Sequence, residues 1–110
     1  ITERGGRVLI KGLDAPQAEW ASPLAAFENA FEHEQLVTSR INDLVALAAD
    51  LKDFASLNFL QWYVSEQVEE ESGVDGIVQQ LKLMQGAPGG LFMLDRELAQ
   101  RVYTPPATGA

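Results

Sequence analysis

Residues 60–71 read LQWYVSEQVEEE, an apolar segment that runs without a break into a glutamine and four glutamates. Alternating steps of three and four residues through this stretch and beyond meet Leu60, Tyr63, Gln67, Glu70, Val74, Ile77, Leu81 and Met84. That is the stripe of a long helix buried along one side. Upstream, the same stepping meets Phe27, Phe31, Glu34, Thr38, Ile41, Val45 and Ala48. Both stripes belong to a helical bundle, and both are interrupted by polar residues: Glu34 in the first, Gln67 and Glu70 in the second.

The punctuation between the stripes sets the elements. Ser22-Pro23 supplies an N-cap followed by a proline at the first helical position, so the first helix is expected over 23–49. DLKD (50–53) is a turn in which Asp50 or Asp53 caps a second helix over 53–84, weakened slightly inside by Gly73 and Gly76. QGAPGG (85–90) ends that helix, and the spacing of 91–102 predicts a short third one. Residues 1–6 read as the end of a preceding helix, closed by Gly5 and Gly6 with Arg4 near the dipole. Residues 7–22 are an extended connection anchored through Val8, Ile10, Leu13 and Trp20, and 103–110 a flexible tail. The chain is therefore all-α, one domain over 1–110, built on an antiparallel pair of helices each about 40 Å long.

The hairpin brings the polar breaks to one height. Its centre lies near Leu51, and Glu34 precedes that residue by as much as Val68 follows it. Glu34 is thus level with Gln67 and Glu70, facing the same interior. Carboxylates withdrawn from water need a countercharge. Arg40 is more than a turn away, and His33 points off the stripe and is read as a surface residue. A hard or borderline cation such as iron, manganese or magnesium answers the need. Glu66 and Glu69 flank the stripe. Against this stands the reading of EQVEEE as an ordinary solvated helix face. Tyr63, Phe27 and Phe31 are expected in the core, and Trp20 and Trp62 as packing residues.

Bulk properties narrow the class. The net charge of -8 makes nucleic acid an improbable partner. The chain has no cysteine, hence no disulfide and no thiolate metal site. No apolar run has membrane-spanning length, and a cytoplasmic setting is the expectation.

At FEHEQLVTSRINDLVALAADLKDFASLNFLQWYVSEQVEEE (31–71), followed by GGLFMLDREL (89–98), the sequence resembles the C-terminal part of a bacterial non-haem ferritin. The resemblance runs from ERGGRV through the short last helix. It implies a ferritin-like four-helix bundle, of which this chain supplies the long crossover, the last two long helices and a short C-terminal helix. It further implies that Glu34, Gln67 and Glu70 belong to a ferroxidase centre, with Glu66, Glu69 and Glu70 at an additional iron site. The implied chemistry is oxidation of Fe(II) to Fe(III) by dioxygen or peroxide, with storage in a homo-oligomeric cage. The family's first helix pair, with its Glu-x-x-His ligands, has no match in this sequence, whose single histidine is His33. That pair is the expected partner covering the inner face. The alternative is a hairpin that pairs with itself or with another helix pair, binding metal without ferroxidase activity.

Overall fold

The computed structural model describes residues 1–105. Helix α1 spans Pro23–Asp50 and starts where the Ser22 side chain accepts a hydrogen bond from the Ala25 amide at 3.0 Å. It ends at Leu51, after which Lys52 turns the chain in the left-handed region at φ 55°. Asp53 then caps α2, Phe54–Leu83, accepting from the Ser56 amide at 3.2 Å. Two links fix the direction of the pair. Glu28 lies 3.4 Å from Lys82, and Gln67 bonds Glu34 at 3.1 Å, so the helices run antiparallel.

A third helix, α3, spans Gly90–Leu98. Gly89 precedes it at φ 76°, a conformation that suits glycine. Gly90 must also lack a side chain, because a Cβ there would sit 2.9 Å from Met84 Cβ. Leu94 of α3 packs with Ile77 and Leu81 of α2, joined by Leu24, Phe27, Met84 and Leu98. This cluster, at one end of the molecule, is the best-packed part of the fold.

At the other end, residues Thr2–Arg4 form a single 3₁₀ turn closed by Gly5 at φ 76°. Arg4 Nη1 donates to Asp53 Oδ2 and Ser56 Oγ, each at 2.9 Å. The chain thus begins at the α1–α2 turn, whereas α1 begins at the opposite end. Residues 7–22 must run the length of a 28-residue helix, about 42 Å at 1.5 Å per residue. An extended segment of this length reaches that far.

Several expectations need correction. The third helix stops at Leu98, short of 102. Val102 and Tyr103 remain mostly exposed, and so short a helix persists only where it packs. The crossover anchors do not dock: Ile10 is 88% and Leu13 96% exposed. Trp20 and Trp62 remain 42% and 45% exposed, although Trp20 Nε1 donates to Asn29 Oδ1 at 3.1 Å. The line of α2 that meets α1 passes through Val64, Gln67, Glu71, Val74 and Val78, not through Tyr63 and Glu70. The reason is geometric. Two helices touch along one line, whereas the axis of a four-helix bundle lies to one side of it. Tyr63 and Glu70 sit on that side. Of the expected tail 103–110, residues 103–105 are exposed and without regular structure; 106–110 lie outside the described residues.

Candidate metal centre

Glu34 and Thr38 stand one turn apart on α1, so their side chains leave the same face. Gln67 reaches them from α2 and is 8% exposed, the buried polar side chain among the described residues. Its Nε2 donates to Glu34 Oε2 at 3.1 Å, to the Glu34 carbonyl oxygen at 3.2 Å and to Thr38 Oγ1 at 3.1 Å. Glu34 itself is half-buried. The level contact expected between Glu34 and Gln67 is present, and it ties the two helices at mid-length.

From this contact a groove of about 810 Å³ opens on the side away from the α1–α2 line. Glu34, Glu66, Gln67, Glu69 and Glu70 all line it, with Val37, Trp62, Tyr63 and the segment Tyr103–Pro105. Glu66 is half-buried; Glu69 and Glu70 are exposed. Among the residues that line the groove there is no lysine, arginine or histidine. His33 lies elsewhere, in a second groove between α1 and the crossover that Glu34 also reaches. Among the described residues no three acidic or imidazole side chains converge closely enough to hold an ion by themselves. The hairpin thus offers one face lined by oxygen donors, on which Glu70 stands at an exposed flank.

Two groups in the structure were not foreseen as partners. The sequence places Thr38 only on the stripe, with its position four residues from Glu34 as the one signal of a shared face. Asp53 was foreseen as a cap but not as the partner of Arg4. The hydrogen bond from Arg4, and then those from Ser56, hold the Asp53 carboxyl well below the usual carboxylate range. The same contact raises the Arg4 guanidinium.

A crossover and two long antiparallel helices, with an acid-lined groove beside their contact, have the form of half a four-helix bundle. Comparison with known proteins agrees. The family described as "Ferritin-like domain" matches residues 1–84, and the chain belongs to the ferritin family. A probable bacterial non-heme ferritin-like protein of Haemophilus influenzae is 40% identical over 98 residues, covering 89% of this chain and 59% of that protein. A bacterial non-heme ferritin of Bacteroides fragilis is 41% identical over 101 residues, covering 92% and 62%. Among solved structures, an open-pore ferritin from Archaeoglobus fulgidus is 52% identical with a TM-score of 0.88, covering 92% of this chain and 62% of that one. The fold is that of the ferritin four-helix bundle, and the chain spans about three fifths of the length of these relatives.

Proposed function

We propose that this protein stores and detoxifies iron, oxidising Fe(II) at a carboxylate-rich di-iron centre and depositing Fe(III) in a protein cage. The observation that supports the reading is that Glu34, Glu66, Gln67, Glu69 and Glu70 all line one groove, with no basic residue among its lining. Its substrate is Fe(II). Glu34, Gln67 and Glu70 are the proposed ferroxidase residues, and Glu66, Glu69 and Glu70 the proposed ligands of an additional iron. Anionic oxygen donors stabilise the ferric over the ferrous ion, which drives the reaction in this direction. Each Fe(II) gives up one electron, and dioxygen takes two electrons and two protons to leave as hydrogen peroxide.

The partner in this reading is the helix pair that precedes the crossover in the same subunit. It supplies the opposite wall of ligands and covers the inner face, and copies of the completed bundle assemble into a cage. The reading extends to the cytoplasm, where Fe(II) must be kept from uncontrolled reaction with dioxygen. Neither nucleic acid nor a membrane enters this reading. Among the described residues no helix is long and apolar enough to cross a bilayer.

The test is aerobic addition of Fe(II) to the protein with its bundle complete, followed by ferric absorbance. Glu34→Ala and Glu70→Ala are each expected to slow oxidation at least tenfold, on the order seen when a metal-site residue is removed. Unchanged rates in both variants would overturn the assignment. Binding of Fe(II) without oxidation would leave a metal-binding helical hairpin.

A further inference from the structure

An amide nitrogen carries two protons, yet Gln67 Nε2 has three acceptors within 3.2 Å: Glu34 Oε2, the Glu34 carbonyl oxygen and Thr38 Oγ1. A carboxylate and a carbonyl only accept, so the end of the amide facing α1 is the nitrogen. Turned over, Gln67 would set Oε1 against two acceptor oxygens. The oxygen end is bonded by no donor among the described residues. It is the end left for a ligand.

The three acceptors are not alike. The Glu34 carbonyl is part of the α1 backbone, and Thr38 Oγ1 sits on a stiff β-branched side chain one turn along the same helix. Glu34 Oε2 ends a flexible side chain and is a proposed iron ligand. When a cation takes up the Glu34 carboxylate, two acceptors remain for the two amide protons. Without Thr38, one of those protons would lose its acceptor in a site withdrawn from water, a penalty that opposes metal binding.

We infer that Thr38 is a positioning residue for the iron site. Its hydroxyl frees the Glu34 carboxylate to leave Gln67 for the metal, and keeps the Gln67 amide turned so that its neutral oxygen faces the ligand. The inference rests on the iron-oxidation reading and assigns a role within that same site. Because Glu34 supplies a spare acceptor in the metal-free state, Thr38 matters chiefly once metal is bound. A residue that only knits the helices together would show the opposite pattern.

The experiment uses the protein with its bundle complete and compares it, unaltered, with Thr38→Val, which keeps the shape and removes the hydroxyl, and Thr38→Ser, which restores it. Anaerobic Co(II) titration followed by visible d–d absorption reads affinity, thermal unfolding of the metal-free protein reads structure, and aerobic Fe(II) oxidation reads activity. Thr38→Val is expected to weaken Co(II) binding by roughly 10- to 100-fold, the range for residues that orient a ligand. Its metal-free unfolding temperature should stay close to that of the unaltered protein, and Thr38→Ser should bind Co(II) nearly as the unaltered protein does. Unchanged Co(II) affinity in Thr38→Val overturns the inference. So does a Thr38→Ser as weak as Thr38→Val, or a loss of metal-free stability that accounts for the lost affinity. If the unaltered protein neither binds Co(II) nor oxidises Fe(II), the iron reading itself falls. If it does both and Thr38→Val matches it, only the role of Thr38 falls.

Discussion

Asp53 performs two tasks with one carboxylate: it caps α2 through the Ser56 amide and receives Arg4 from the start of the chain. Its proton affinity is lowered on folding, so its contribution is complete above the ordinary carboxylate pKa of about 3.9 and fades as pH falls through its depressed folded value. The Asp53→Asn variant should therefore unfold at lower denaturant than the unaltered protein from neutral pH down to mild acid. Below the ordinary carboxylate pKa the gap should narrow. Denaturant midpoints across that range check this, and a gap that widens in acid would contradict it. The cap was legible in the sequence because capping is local. Its partner was not, because Arg4 lies far along the chain and no periodicity links the two. The same limit hid Thr38, whose chemistry depends on an amide arriving from another helix.

At the scale of elements, both long helices could be read almost to the residue. Ser22-Pro23 and Asp53 are signals that act within one turn, and no proline interrupts either stripe. The stripes themselves were right for α1, where Phe27 through Ala48 are all buried or half-buried. They were partly rotated for α2, since a period of three and four finds the axis of a whole bundle more readily than the contact line of one helix pair. The short helix was overextended because its apolar spacing continues past the surface available to receive it. Leu94 is what holds α3 in place. Leu94→Ala is expected to cost about 2–5 kcal/mol of local stability, releasing α3 while α1 and α2 stay paired. Hydrogen exchange should then show the amides of 90–98 losing protection before those of α2. Simultaneous loss in both elements would mean that the three helices unfold as one unit.

As a whole molecule the chain exposes 9269 Å². A compact monomer of 12.0 kDa would expose about 6,000 Å². Part of the excess, about 3,300 Å², belongs to the extended crossover. The rest includes Leu44, Leu47, Phe59, Trp62 and Tyr63 on α1 and α2 and Leu51 at the turn between them, apolar side chains left exposed. Surface of this kind is well beyond what single soluble chains leave open. The 110 residues alone should bind a hydrophobic dye strongly, and the protein with its bundle complete should bind it weakly. Equal dye binding by the two would show that the added helices cover something else. The acid groove lies on the side where Trp62 and Tyr63 stand, and its carboxylates are legible as a set in the sequence because they recur at helical spacing.

The crossover is fastened at one end by Arg4 and at the other by the start of α1 and the Trp20–Asn29 hydrogen bond, and its side chains from Arg7 to Leu13 are exposed. Arg7 and Lys11 lie in that open run, within reach of a protease that cuts after basic residues. A brief digestion should sever the polypeptide there first and spare both long helices. The two pieces of a completed subunit would then stay together only through packing across the bundle. A nicked subunit that kept its shape in gel filtration, yet fell apart in denaturant into two fragments, would show that the covalent strap governs assembly of the fold more than its upkeep.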